Sequence, residues 1–365
     1  MTPPGWTRQP LSKFITLQRG MDLPTKKRRP GRFKVLSSGE SHGWHDEGPV
    51  KGPGFAVGRA TNLGRPTWSD EDYWPLNTTL YAKDFHGNDP KFAYFWFLGA
   101  DLSTFNSGSV QPMLNRNYIA NVPIDVPPVA EQRAIAATLG AFDDKIESNR
   151  RAIETGERLL RSKVLLAIDT SSGDEGVLSD YCGLVNATVK AGSIDPSANY
   201  IGLEHMPRGS VFLNAWSTAE GLGSHKTAFQ AGDLLFGKLR PYFKKVGIAP
   251  VAGVCSTDIL VIRPKNPRDL GLITCVGASD ALIDSLSASS TGTRMPRASW
   301  NDLASWPVPK MTEAELVALA DDVSPLIARL EALTFESKRL AALRDALLPE
   351  LLSGSIRVPA EEASG

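Results

Sequence analysis

Two stretches of this sequence gather positive charge in a form that could grip a polyanion. Lys26-Lys27-Arg28-Arg29-Pro30-Gly31-Arg32 is a dense basic run among proline and glycine. Such a loop can neutralise phosphates, each contact adding salt-dependent affinity; a merely solvated loop is the plain alternative. Lys238, Arg240, Lys244 and Lys245 flank Tyr242 and Phe243. Cations interleaved with aromatics suit a nucleic-acid surface, although lysines snorkelling over a strand would read the same way. A third group is polar rather than basic. Gln111, Asn115, Arg116 and Asn117 lie beside a Gly108-x-x-x-Pro112 corner, and Thr293, Arg294, Arg297 and Asn301 beside a Gly292-x-x-x-Pro296 corner. Asn and Gln can bond adenine bidentately and Arg can do the same with guanine; turn capping is the competing use.

Catalytic chemistry is poorly signed. Gly232-Asp-Leu-Leu-Phe-Gly237-Lys238 imitates a phosphate-binding loop, but Leu239 stands where a magnesium-touching Ser or Thr belongs, and Pro241 spoils the helix that should follow. Gly52-Pro53-Gly54 carries a proline inside its glycine pattern, which is no dinucleotide fingerprint. His42, His45, Asp46 and Glu47 lack a further convergent ligand in sequence, so a wet loop is expected rather than a metal centre. There is no G-x-S-x-G elbow and no (N/D)PP(Y/F) adenine-methyltransferase motif. The expectation is a non-catalytic chain without cofactor or metal.

The elements that must position these residues are duplicated. At an offset of 184, Gly108 meets Gly292, Pro112 meets Pro296, Asn117 meets Asn301, Ala120 meets Ala304, Pro123 meets Pro307 and Glu131 meets Glu315. At an offset of 167, Leu11-Ser-Lys-Phe14 rhymes with Leu178-Ser-Asp-Tyr181. Each half opens with a Gly/Pro/aromatic-rich segment whose short apolar runs (Asp233–Phe236, Gly247–Ala249 and Asp258–Arg263 among them) read as strands. Each half closes with a long helix. In the second helix Leu319, Leu326, Leu333, Leu340 and Leu347 recur every seven residues, with Leu316, Val323, Leu330 and Leu351 on a second seam broken at Ser337 and Arg344. In the first helix the seam is Leu139, Ile146, Ile153, Leu160 and Ala167, while Ile135 and Phe142 begin another that turns polar at Asn149, Gly156 and Lys163. Such spacing is that of a coiled coil, and two helices of this kind can pair. Thr312 with Glu315 forms a capping box, and Ser324-Pro325 predicts a kink or restart. Pro349 and Gly354 mark the helix end.

The chain has 365 residues, enough for two domains, and 42% hydrophobic residues, which excludes wholesale disorder. Its 40 basic and 40 acidic residues cancel, but unevenly. Residues 1–128 carry 15 basic and 11 acidic, net +4, and residues 177–311 carry 13 and 10, net +3. Residues 129–176 carry 7 and 9, net −2, and residues 312–365 carry 5 and 10, net −5. The globular segments are thus basic and the helices acidic, as if one sign faces a polyanion and the other something else; scatter among solvated helix faces is the alternative. Three cysteines without a CxxC fit reduced thiols, and Phe92–Ala100, the longest uncharged apolar run, is about half a membrane span. No basic n-region leads into an apolar stretch after Met1. A cytoplasmic protein with no membrane partner is expected.

The run from Gly108 to Gln132, with Pro127-Pro128-Val-Ala-Glu131-Gln132 and then Ile135, Leu139 and Ile146, resembles the specificity subunit of type I restriction–modification systems. Gly232–Tyr242, Cys255-Ser-Thr257, Val261-Ile-Arg-Pro264 and Leu347–Val358 resemble that family's second half and ending. The second half departs where Leu316, not Gln, follows Glu315. The resemblance implies an α+β fold: two mixed α/β target recognition domains (residues 1–128 and 177–311) and two spacer helices (129–176 with linker, 312–365 with tail). The helices would pack as an antiparallel coiled coil about a pseudo-two-fold repeat. It implies a reader of double-stranded DNA with a bipartite, asymmetric site, docking two modification subunits that carry the methyl-transfer chemistry and further restriction/translocase subunits. On this reading Lys26, Lys27, Arg28, Arg29, Gln111, Asn115, Arg116, Lys238, Arg240, Lys244, Lys245, Thr293 and Arg294 meet DNA. Glu131, Gln132, Ile135, Leu139, Ile146, Leu319, Leu326 and Leu333 form the helix faces that meet partners. A two-module scaffold that joins proteins without reading DNA is the alternative.

Overall fold

The computed structural model describes residues 2–38, 40–60, 62–102, 105, 113–288 and 297–359. The chain divides into two compact units, residues 1–144 with 340–365, and residues 145–339.

In the first unit, β1 (Thr7–Pro10) runs into a single turn, α1 (Leu11–Phe14), which leads to β2 (Thr16–Arg19). Then come β3 (Phe33–Ser37), β4 (Glu40–His45), β5 (Gly54–Gly58), β6 (Pro66–Ser69), β7 (Tyr73–Pro75) and β8 (Thr79–Asp84). An antiparallel sheet of order β2-β8-β5-β6 forms the main layer, and a smaller sheet β4-β3-β7, with β3 and β7 parallel, lies beside it in the fold. β5 is buried along its whole length, which is why its sequence GFAVG lacks polar alternation. The helix α2 (Pro90–Gly99) starts where Asp89 accepts from the Phe92 N–H at 2.8 Å and Pro90 occupies the first turn. Its Phe92, Phe95 and Phe97 are buried, so the apolar run is core rather than membrane span. A short α3 (Arg116–Ile119) leads to β9 (Pro123–Val126), which pairs with β1.

The second unit repeats this plan. Its strands are β10 (Cys182–Leu184), β11 (Thr188–Val189), β12 (Asn199–Ile201), β13 (Ser217–Thr218), β14 (Lys226–Phe229), β15 (Leu234–Gly237), β16 (Val246–Ile248), β17 (Gly253–Cys255) and β18 (Ile259–Pro264). The main sheet, β10-β18-β15-β16, has the order of β2-β8-β5-β6 strand for strand. The smaller sheet, β13-β12-β17-β14-β11, keeps the parallel pair but adds two strands. The bridge Pro10↔Pro123 in the first unit becomes Val177↔Pro307 in the second. α5 (Leu270–Gly277), α6 (Asp280–Ala288) and α7 (Trp300–Ala304) complete it. All three short apolar runs quoted above lie on strands, shifted by a residue or so (β15, β16 and β18).

The long helices are α4 (Val129–Asp169) and α8 (Glu313–Ser353), 41 residues each, so that both first residues and both last residues differ by 184. Each is roughly 60 Å long at 1.5 Å per residue, and each begins in one unit and ends in the other. Within the second unit Asn149 donates to Ser337 at 3.2 Å, Lys163 Nζ donates to Asp322, and Gly156 lies where an added Cβ would stand 2.5 Å from Leu330. Within the first, Arg344 reaches Asp143 at 2.5 Å. Residue numbers fall on α8 as they rise on α4. The break at Asn149 therefore meets the break at Ser337, whereas Gly156 makes room for Leu330, Lys163 pairs with Asp322 and Arg344 with Asp143.

Three expectations are corrected here. α8 runs unbroken through Ser324-Pro325, where a kink or restart was expected, although a proline forfeits one helical hydrogen bond. Of the seam Leu319, Leu326, Leu333, Leu340 and Leu347, only Leu319 and Leu333 are buried. The neighbouring series Ala320, Ile327, Thr334 and Leu348 is buried instead, because a helix of 3.6 residues per turn drifts from a strict seven-residue repeat. The helix residues assigned to partners mostly face inward: Glu131, Gln132, Ile135, Leu139, Leu319 and Leu333 are buried within the chain, and Ile146 and Leu326 half-buried. Large apolar side chains on these helices that do reach solvent are Val129, Leu159, Leu165, Leu166, Val317, Phe335 and Leu343.

Candidate nucleic-acid interface

The starts of the two long helices explain the Pro-Pro-x-x-Glu-Gln signature physically. Gln132 is fully buried; its amide donates to Asn88 Oδ1 and the Pro127 carbonyl, and its Oε1 accepts from the Asp89 N–H. It thereby ties the start of α4 to the start of α2. Glu131 accepts from Trp6 Nε1 at 3.1 Å and, through both oxygens, from the Arg357 guanidinium at 2.6 and 2.8 Å. Its repeat mate Glu315 closes the expected box with Thr312, then also accepts from the Ser172 N–H at 3.0 Å. Arg357 follows the end of α8 and Ser172 the end of α4, so each glutamate grips the segment that leaves the other helix. The Ser172 backbone N–H, followed by the Thr312 backbone N–H, lowers the Glu315 carboxyl to about 2.

The basic run of the first unit is only partly free. Arg29 is paired with Asp46 at 2.5 Å and Glu47 at 2.8 Å, and Arg28 donates to the His42 carbonyl. Lys26 and Lys27 stand exposed on a 3-10 turn, Thr25–Lys27, with no ion pair among the described residues. His45 is buried, edge-on to Trp74, and its Nδ1 accepts from the Arg29 N–H. Among the described residues no group of three or more His, Cys, Asp or Glu side chains is arranged to hold a metal ion.

A stronger constellation forms at the loops that follow β5 and β15. Gly58 ends β5 and Arg59 follows; Gly237 ends β15 and Lys238 follows. The Leu114 N–H donates to the Arg59 carbonyl at 2.8 Å, and the Ala298 N–H to the Lys238 carbonyl at 2.9 Å. Leu114 and Ala298 are themselves 184 residues apart, so both units anchor the segment after the G-x-x-x-P corner on the same hairpin. Those corners, with Gln111, Thr293 and Arg294, lie outside the described residues.

In the first unit this anchor brings Arg59 beside Arg19. Burial, and then the neighbouring Arg19, push the Arg59 guanidinium below its ordinary pKa, and its Nη2 donates to Met113 Sδ at 3.2 Å. Asn115 caps α3 by accepting from the Asn117 N–H, which is the structural use of that residue. Arg116 reaches the Leu17 carbonyl at 3.4 Å and, with Asn117 and Thr16, lines a cleft of about 370 Å³.

In the second unit the loop after β15 forms a 3-10 turn, Pro241–Phe243, bracketed by Arg240 and Lys244 in the left-handed region at φ 52° and 50°. Non-glycine residues rarely accept that conformation. Lys244 Nζ pairs with Asp280 at 2.6 Å, Lys238 Nζ donates to the Thr257 carbonyl, and Lys245 Nζ to the Leu203 carbonyl. Arg208 lies 4.0 Å from the Phe243 ring centre. Burial and then Arg208 lower the Lys245 pKa, the same crowding of like charge seen at Arg59. Neighbouring cations that repel one another in the free chain are relieved by an incoming anion. The imitation of a phosphate loop at Gly232–Lys238 is this strand and turn, with no helix after it.

Arg59, Arg19 and Arg208 escaped the sequence reading because each is isolated along the chain. Extending the repeat would have found the first, since Phe55-Ala-Val-Gly58-Arg59 matches Leu234-Leu-Phe-Gly237-Lys238 in type.

Residues 50–155 match the family described as the type I restriction modification DNA specificity domain. The chain is 20% identical over 308 residues to the type I restriction enzyme EcoDI specificity subunit of Escherichia coli, covering 72% of this chain and 68% of that one. Its fold is that of the S subunit of a type I restriction–modification system from M. genitalium, at a TM-score of 0.62 and 17% identity, covering 95% of this chain and 96% of the other.

Proposed function

We propose that this chain is a specificity subunit of a type I restriction–modification system, which reads DNA sequence for such a complex and leaves the chemistry to its partners; the matches reported above support this reading. Residues 1–128 read one half of a bipartite, asymmetric site and residues 177–311 the other. The long helices pair as an antiparallel coiled coil about a pseudo-two-fold repeat and set the unread gap. Two modification subunits dock on the solvent-facing side of the helices, where Leu159, Leu165, Leu166 and Leu343 are exposed, and restriction/translocase subunits join them, in the cytoplasm. The buried faces assigned to partners from sequence serve instead to hold the helices to the units.

The observation that supports this reading best is the shared hairpin anchor: one scaffold in both units, carrying Arg59 and Arg116 in one and Lys238, Arg240 and Lys245 in the other. Like scaffolds with unlike side chains are what reading two different half-sites requires. Phosphate contacts from Lys26, Lys27, Arg59, Lys238 and Arg240 hold the register, and polar groups beside the corners, Gln111, Asn115, Arg116, Thr293 and Arg294, specify bases.

The test is a gel shift of the full chain, assembled with its modification subunits, on sheared genomic DNA. Sequence-selective retention is expected. Arg59→Ala and Lys238→Ala should each weaken binding to all fragments and flatten the dependence of log affinity on log salt by about one contact. Absence of selective retention overturns the reading in favour of a scaffold that joins proteins alone.

A further inference from the structure

Tyr242 is a large side chain held out in solvent on a turn built to keep it there. It is 49% exposed, and among the described residues its hydroxyl has no hydrogen-bond partner. The turn that carries it is fixed at both ends by left-handed Arg240 and Lys244, a backbone choice that a floppy surface loop would not sustain. Lys244 is pinned to Asp280 at the start of α6, and Lys238 to Thr257. Behind Tyr242 stands Phe243, edge-on with ring centres 4.8 Å apart, and Phe243 is itself covered by Arg208 at 4.0 Å and Arg240 at 5.9 Å. The ring is therefore supported on one side and open on the other, within a ring of cations that draws the phosphate backbone towards it. The equivalent hairpin of the first unit places a half-buried Leu63 in its loop and no aromatic.

We propose that Tyr242 is a base-stacking residue: it inserts its ring at a base step of the half-site read by the second unit, partly unstacking that step, and the first unit has no counterpart at this loop. This rests on the DNA-reading function proposed above. Stacking is tolerant of base identity and adds affinity without releasing counterions. It differs in that respect from every lysine and arginine around it.

The experiment uses the full chain assembled with its modification subunits. The probe is a duplex bearing the site defined by mapping methylated adenines in the host. Affinity is measured across a salt series for the wild type, Tyr242→Phe, Tyr242→Leu and Tyr242→Ala, with thermal unfolding recorded for each. Tyr242→Ala and Tyr242→Leu should lose roughly tenfold in affinity at every salt concentration with the slope unchanged, while Tyr242→Phe keeps wild-type binding. Wild-type affinity in Tyr242→Ala overturns the proposal. So does a loss accompanied by a shallower slope, which would make the residue a mere prop for Arg240 and Lys244. Failure of Tyr242→Phe to bind would assign the work to the hydroxyl instead of the ring, and also overturns it. If the wild type itself holds no site, the underlying function falls and this assignment with it.

Discussion

Glu131 and Glu315 show how one residue type in one repeat position is put to two uses. Glu131 is buried and clasps a guanidinium, whereas Glu315 is half-buried and collects backbone N–H groups from its own helix start and from Ser172. A carboxyl lowered to about 2 from an ordinary 4.5 favours the folded state fully above pH 4.5, and that contribution is lost as pH falls towards 2. Acid unfolding followed by circular dichroism should therefore show a limb between about pH 4.5 and 2 that is shallower in Glu315→Gln. An unchanged acid limb would mean the Ser172 and Thr312 bonds do not persist in solution. At this scale the sequence was informative about capping, since Thr312-x-x-Glu315 is a local pattern. It was uninformative about Arg59, Arg19 and Arg208, which converge only after the hairpin has formed. The basic run at Lys26–Arg29 misled in part, because the acids that neutralise Arg29 lie across a strand pair, at Asp46 and Glu47.

The two long helices were legible in outline, because apolar periodicity and the repeat offset are strong signals over 41 positions, although Ser324-Pro325 wrongly suggested a break in the second. What counting could not give was the meaning of the interruptions. Asn149, Gly156 and Lys163 look like flaws in one seam and Ser337 and Arg344 like flaws in another, yet each is matched across the pair, Asn149 by Ser337, Gly156 by Leu330, Lys163 by Asp322 and Arg344 by Asp143. A polar or small residue at a seam position costs stability while fixing the register of the partner helix. Gly156 is the steric case. Its lack of a side chain lets Leu330 approach to where a Cβ would clash at 2.5 Å. Gly156→Leu should lower stability by about 1–3 kcal/mol through overpacking, measured by urea unfolding, despite leucine's better helix propensity. A stability equal to wild type would place the two helices further apart than described. The short strands β11 and β14 of the second unit were invisible in advance, since two to four residues without apolar alternation carry no periodic signal.

For the molecule as a whole, the repeated strand order and the equal helices argue that reading is modular. Exchange of residues 1–128 for the matching segment of a related chain should change one half of the methylated sequence and leave the other intact, as read by methylation mapping in the host. A change in both halves, or in neither, would end the modular account. Among the described residues no single helix is long and apolar enough to cross a membrane, and the acidic balance of the helices contrasts with the basic balance of the units they join.

The bonds from Leu114 to Arg59 and from Ala298 to Lys238 bear on inheritance as well as on mechanism. Both are made by backbone atoms, so they depend little on which side chains the four residues carry. The positions after Gly58 and Gly237 can thus be respelled one letter at a time, and a new target word acquired, while the buried strands and helices that present them are inherited unchanged.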